Sequence, residues 1–190
     1  MDTSNEKTTL YEKKAQLRRE CKKIRSQIED KQKKDENVCR HLVSMRQFLS
    51  CDVLLAYFPV GTELDVGLAI EKARKLGKRV AFPVCTSERD MIFRFCDTVP
   101  DAGMYGIPEP SDECETCIPS ERTFCIVPAL AVDKEHNRMG YGKGYYDNFL
   151  RSFPGSCAVV TYDELVFDSI PHDENDFKIS TIITQGGSLS

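Results

Sequence analysis

At 190 residues, with 41% hydrophobic and 29% charged content, the chain is large enough to bury one core and has the composition of a water-soluble globular protein. No apolar run approaches the roughly 20 residues that span a bilayer, so no membrane role is expected. A net charge of −4 speaks against nucleic acid as a partner.

The N-terminus is polar and mixed in charge, without the apolar stretch of a secretory leader. Nine cysteines at scattered spacings then point to a reducing compartment, and the expected location is cytoplasmic. Only Cys114 and Cys117 have metal or redox spacing, and no second ligand pair accompanies them. Charge is unevenly spread, because residues 1–34 hold eleven Lys/Arg against six Asp/Glu. A basic N-terminal helix on an acidic body suits RNA, an anionic ligand held by the body, or a solvated face.

Taken in chain order, Thr9 with Glu12 forms a capping box ahead of a helix, and residues 1–8 are expected to be flexible. On that helix Leu10, Leu17, Cys21, Ile24 and Ile28 recur on one face. Lys14 falls within this apolar stripe, with Arg18 and Arg25 along its edge, so these cations either reach the surface or meet an anion. A second helix is expected from about 35 to 49, with Val38, Leu42, Met45 and Leu49 as its stripe. A buried strand at 53–58 is stopped by Pro59 and Gly61; a helix at 64–76 is ended by Gly77; a strand follows at 79–84. Met91, Phe93 and Phe95 alternate with polar neighbours as in a half-exposed strand, and 98–119 is mostly Pro- and Gly-rich loop. A strand at 124–132, a helix at 145–153, a strand at 158–161 and a last strand near 178–184 complete the series. This alternation predicts an α/β fold over 1–190, a single three-layer domain with a largely parallel (mixed) central sheet flanked by helices, Rossmann-like. Ligands of such sheets sit at the carboxyl ends of strands, which places the loops after Phe58 and Val132 on one rim.

The stretch Asn137-Arg138-Met139-Gly140-Tyr141-Gly142-Lys143-Gly144-Tyr145-Tyr146-Asp147 carries the strongest chemical signal. Glycines at alternate positions let backbone N–H groups approach an anion, while Arg138 and Lys143 add charge and Asp147 suits a divalent cation. The spacing fits neither a Walker A loop nor a dinucleotide fingerprint. A nucleotide is the expected ligand; the alternative is a surface loop with solvated cations.

Val127-Pro128, Val132-Asp133 and the run from Arg138 to Asp147 together resemble the signature of the 5-formyltetrahydrofolate cyclo-ligase family. Lys14-Ala15-Gln16-Leu17-Arg18, Tyr57-Phe58 with Glu63-Leu64-Asp65, and Glu174-Asn175-Asp176 agree, in the family's order, over about 13–184. Met139 stands where Leu is usual, and Tyr141 occupies a variable position. The resemblance implies an ATP- and Mg²⁺-dependent conversion of 5-formyltetrahydrofolate to 5,10-methenyltetrahydrofolate with release of ADP and phosphate. It implies that Lys14, Arg18, Arg138, Met139, Gly140, Tyr141, Gly142, Lys143, Gly144, Tyr145 and Tyr146 contact ATP. Phe58, Glu63, Tyr141, Gly142, Lys143, Gly144 and Tyr145 would border the folate, and Asp147 and Asp176 would serve Mg²⁺. Lys143, Arg138 and Tyr145 are the expected catalytic groups, and a monomer acting on small molecules is the expected form.

The residues suit that chemistry. A formamide oxygen is phosphorylated, N10 attacks the activated carbon and phosphate leaves, so the protein must align groups and neutralise charge rather than supply a nucleophile. No Ser–His or Cys–His arrangement is apparent. Competing readings are a sugar-phosphate isomerase or CoA-transferase relative, and a non-enzymatic ATP- or RNA-binding module built on the basic helix.

Overall fold

A computed structural model describes the backbone of residues 3–97 and 108–189, with side chains from Thr9 onward. Helix α1 (Thr3–Ser26) begins earlier than its capping box, so Thr9 and Glu12 lie inside the helix. Residues 1–2 lie outside the described set. The apolar stripe faces inward, with Cys21 fully buried and Leu17, Ile24 and Ile28 packed against the core.

The expected second helix is two helices, α2 (Lys31–Ser44) and α3 (Arg46–Ser50), broken at Met45. Met45 adopts extended backbone (φ −64°, ψ 141°), and this shifts the buried face by one residue. Phe48 is buried and Leu49 exposed, the reverse of an unbroken stripe. Phe48 meets Phe124 edge-on at 6.2 Å, beneath the sheet's central strand.

Strand β1 (Val53–Leu55) is shorter than the apolar run, because the chain leaves the ladder at Ala56 on its way to Phe58. Helix α4 (Gly67–Lys75) starts late: Asp65 Oδ1 accepts from the Gly67 N–H at 2.7 Å, and Leu64 and Val66 fill the core from the preceding loop. Its end is as expected, with Gly77 at φ +75° and paired bonds Gly77 N–H to Arg74 O and Lys78 N–H to Ala73 O. Strands β2 (Arg79–Cys85) and β3 (Met91–Phe95) form an antiparallel pair joined by a tight turn. The expected loop at 98–119 lies outside the described residues up to 107, and its remainder holds the two-residue strand β4 (Thr116–Cys117).

The apolar run at 124–132 is likewise two strands in two sheets. β5 (Thr123–Pro128) ends where proline supplies no donor, and β6 (Ala131–Asp133) pairs with β7 (Arg138–Met139) and β9 (Val166–Phe167) in a small second sheet. Helix α5 (Tyr145–Leu150) is shorter than expected, β8 (Ser156–Val160) follows, and a 3-10 turn spans Asp163–Leu165. The last expected strand is a hairpin, β10 (Ile182–Thr184) and β11 (Gly187–Leu189), turning at Gln185 and Gly186.

The main sheet runs β11-β10-β8-β5-β1-β2-β3-β4, and its five central strands are mutually parallel. Alternate side chains divide two cores: Leu54, Phe124 and Ile126 face α2–α4, whereas Leu55, Cys125 and Val127 face α5 and the C-terminal segment. In chain order the parallel strands stand 2-1-3-4-5, so the direction of winding reverses between β1 and β5. The crevice outside their carboxyl ends is where such a sheet binds ligands. Among the described residues no helix is long and apolar enough to cross a membrane.

Candidate active site

Both loops flagged in the sequence leave this switch point. After β5 the chain turns through the β6–β7 hairpin, which Asp133 closes. Its fully buried carboxylate accepts from the backbone of Glu135 (3.0 Å), Asn137 (2.9 Å) and Ile170 (3.0 Å), and from the Asn137 side chain (2.9 Å). Burial pushes this carboxyl up, but the four donors outweigh it and hold it below the usual carboxylate range.

The hairpin delivers the glycine loop, 140–144. Gly142 (φ +98°) and Gly144 (φ +75°) take backbone conformations that side chains avoid. Cations crowd the same loop. A Cβ at Gly140 would stand 2.8 Å from Arg138 Nη1, and one at Gly142 would stand 2.9 Å from Arg18 Cζ. Arg18 reaches in from α1 and donates to Gly140 O at 3.0 Å. Arg138 is buried beneath the loop, donating to Asp147 Oδ1 at 2.7 Å and Pro128 O at 3.4 Å. Met139 is spent on the core, and its carbonyl accepts from the Leu130 N–H at 2.8 Å. Lys143 is exposed on the loop. Because α5 has only six residues, the loop's own N–H groups and these cations, rather than a helix dipole, supply the positive field.

A second ionic cluster ties α1 to the C-terminal segment. Lys14 Nζ lies 2.6 Å from both Asp173 Oδ2 and Asp176 Oδ2. Burial works against the ammonium, yet the two carboxylates hold it above its ordinary range, and Lys14 holds the Asp173 carboxyl below its own. Asp147 Oδ1 also accepts from the Phe177 N–H at 3.1 Å, which brings the segment containing Asp176 beside Asp147. Among the described residues no group of three or more His, Cys, Asp or Glu could hold a metal ion. Two carboxylates on one rim do suit Mg²⁺ that keeps its remaining positions for phosphate and water.

Across the crevice, Phe58 stacks on Phe82 (centroids 4.0 Å apart, 10° between planes). Glu63 is buried and accepts from the Val60 N–H at 2.8 Å. Arg25, also buried, donates to Thr62 Oγ1 at 3.0 Å. Tyr141 swings from the glycine loop toward this group, its ring 5.7 Å from Arg25 Cζ and 5.9 Å from Lys22 Nζ. Burial and the neighbouring Glu63 push the Tyr141 phenol up. Tyr145 donates to Ser87 O at 3.1 Å, and Asn148 Nδ2 to Asp90 Oδ1 at 2.8 Å, so the β2–β3 turn forms a third wall.

Arg18, Arg138 and Asp147 thus gather at the glycine loop, the Lys14–Asp173–Asp176 cluster adjoins it through Phe177, and Tyr141 reaches from it toward Arg25 and Glu63, whereas the Met139 side chain points into the core and Arg138 lies beneath the loop. Sequence reasoning missed Asp173, the Ser87–Asp90 turn and the buried role of Arg25. Asp173 had a signal, lying three residues before Asp176, whereas the Ser87 contact is to a backbone carbonyl and leaves none in the side-chain pattern. Burial pushes the Cys21, Cys39, Cys117 and Cys157 thiols up to about 11, which disfavours the nucleophilic thiolate there, and no disulfide joins the nine cysteines.

Comparison with known proteins gives consistent matches. Residues 10–185 match the model of the 5-formyltetrahydrofolate cyclo-ligase family. A probable 5-formyltetrahydrofolate cyclo-ligase of Schizosaccharomyces pombe is 30% identical over 169 residues, covering 78% of this chain and 82% of the relative. The 5-formyltetrahydrofolate cyclo-ligase of Mycolicibacterium smegmatis is 31% identical over 148 residues, covering 72% and 75%. The solved structure of Aquifex aeolicus 5,10-methenyltetrahydrofolate synthetase superposes with a TM-score of 0.78 at 28% identity, covering 92% of this chain and 91% of that one.

Proposed function

The chain belongs to the 5-formyltetrahydrofolate cyclo-ligase family, a family of ligases, and from that premise we propose that it uses ATP and Mg²⁺ to convert 5-formyltetrahydrofolate to 5,10-methenyltetrahydrofolate, releasing ADP and phosphate. Membership removes the isomerase, CoA-transferase and non-enzymatic readings. The observation that carries the proposal is the convergence of Arg18, from α1, and Arg138, from β7, on the glycine loop at the β1/β5 switch point.

The glycine loop holds the triphosphate. Arg18 crosses it from above, Lys143 meets the γ-phosphate, and Arg138 braces the loop from below through Asp147. The formyl oxygen attacks the γ-phosphorus and ADP leaves. N10 then adds to the formyl carbon and loses its proton, and phosphate departs with the former formyl oxygen. Charge spreads over phosphate oxygens in the first step, so fixed cations and positioning do most of the catalysis. Lys14 closes the rim from α1. Asp147, whose two hydrogen bonds both land on Oδ1, and Asp176 offer carboxylate oxygens to Mg²⁺ arriving with ATP. That ion supplies charge neutralisation at the phosphates.

On the other side, Phe58 and Tyr145 wall the pterin, and Glu63 accepts from its amino group and ring N–H. Burial of Glu63 at the crevice makes such a paired contact strong, since water does not compete for it. Mixing the protein with 5-formyltetrahydrofolate, ATP and Mg²⁺ and following methenyltetrahydrofolate absorbance tests the proposal. ATP-dependent product is expected, with kcat/KM lowered by roughly 100-fold or more in Lys143→Ala. Absence of product from the wild-type protein sinks the reading.

A further inference from the structure

Helix α5 opens with two adjacent tyrosines, and their hydroxyls are used differently. Tyr145 donates to Ser87 O. The Tyr146 hydroxyl is buried and has no hydrogen-bond partner among the described residues. A buried, unpaired phenol costs free energy that a phenylalanine at the same position would not. Packing therefore gives no reason for tyrosine here.

Its surroundings suggest one. Glu63, Cys85, Cys125, Arg138 and Tyr57 are its polar neighbours. The Tyr57 hydroxyl is committed to Leu64 O at 2.8 Å, Arg138 donates to Asp147, and the Arg138 guanidinium lies 5.9 Å from the Tyr146 ring centre. Tyr146 thus holds an uncommitted donor, with Glu63 among the groups around it. The pyrimidinone edge of a pterin presents an amino group, a ring N–H and, next to them, a carbonyl oxygen. Glu63 supplies acceptors for the first two. The third needs a donor beside Glu63.

We propose that the Tyr146 hydroxyl is a substrate-positioning contact on the folate side of the site, donating to the ring carbonyl oxygen of the bound pterin next to Glu63, rather than a nucleotide contact. The assignment rests on the reading that Glu63 faces the pterin. In the free protein the hydroxyl is a cost to stability that the substrate's oxygen relieves, a trade between stability and binding.

The test is Tyr146→Phe in the full-length protein. Loss of one hydrogen bond raises KM for 5-formyltetrahydrofolate about tenfold while KM for ATP stays within about twofold. The free variant melts about 2–4 °C higher, because the unpaired hydroxyl is gone. A 4-amino folate analogue, which lacks the carbonyl acceptor, should inhibit wild type and variant competitively with the same inhibition constant. An unchanged KM for folate, a raised KM for ATP, a lower melting temperature or an analogue that loses affinity in the variant would each overturn the assignment. A wild-type protein that makes no methenyl product removes the underlying reading as well; an active wild type with an unaffected variant removes only Tyr146.

Discussion

Replacing Gly142 with alanine adds two separable costs. The first is backbone strain, since φ at this position is +98°. Strain of this kind costs about 1–2 kcal/mol, or a melting temperature lower by about 2–8 °C in a chain of this size. The second is displacement. The new Cβ would lie 2.9 Å from Arg18 Cζ and 3.1 and 3.2 Å from its two terminal nitrogens, well inside van der Waals contact. The guanidinium ends a flexible side chain, so it moves, and its bond to Gly140 O at 3.0 Å breaks. A charge-assisted contact to phosphate contributes about 1.5–3 kcal/mol, so ATP affinity falls roughly 10- to 100-fold. Gly77→Ala supplies the control: φ is +75° at the end of α4, and nothing lies within 4 Å of the added carbon. Calorimetric titration with ATP and thermal melts of both variants give the comparison. Both should melt lower, and only Gly142→Ala should lose ATP. Unchanged ATP affinity in Gly142→Ala would show that Arg18 does not address the nucleotide across this loop.

Three further outcomes are expected. Asp133→Asn turns an amide toward four N–H donors and should cost about 3 kcal/mol by urea denaturation at neutral pH. Because the folded carboxyl is held low, its stabilisation is complete above the unfolded value of about 3.9 and is lost as pH falls through the folded one; the difference between wild type and variant should therefore shrink below about pH 4. Lys14→Met leaves Asp173 and Asp176 facing one another, and should lower stability by about 1 kcal/mol at pH 7, an effect that shrinks in acid as Asp173, which Lys14 holds low, protonates. Asp147→Asn should shift the Mg²⁺ titration of turnover to higher concentration; an unchanged titration removes Asp147 from the metal site.

The strands that surround the crevice were readable because their signals are local. The 79–84 and 91–95 runs, and Gly77 as a helix end, carry their own patterns. The breaks were not readable. Met45 is a good helix former that takes an extended backbone because Phe48, not Leu49, fits under Phe124. One apolar run at 124–132 serves two sheets because Pro128 and the Leu130–Met139 bond redirect it, a tertiary choice. At the site, spacing along α1 placed Lys14 and Arg18 on a shared stripe, and the glycine motif marked the loop they reach. What spacing could not give was the partner of each cation. Lys14 finds Asp173 and Asp176 more than 150 residues away, and Arg138, read as a phosphate contact, lies under its own loop. Tyr146 is the converse case: the motif groups it with ATP, and nothing in its spacing shows that its hydroxyl is buried without a partner among the described residues.

The most direct measurement is a crystal structure of the protein with a non-hydrolysable ATP analogue and 5-formyltetrahydrofolate. The triphosphate should lie against the backbone of residues 140–144 with Arg18 across it, and the formyl oxygen should point at the γ-phosphorus from the Glu63 side. A triphosphate bound elsewhere, with that loop facing solvent, would contradict the account.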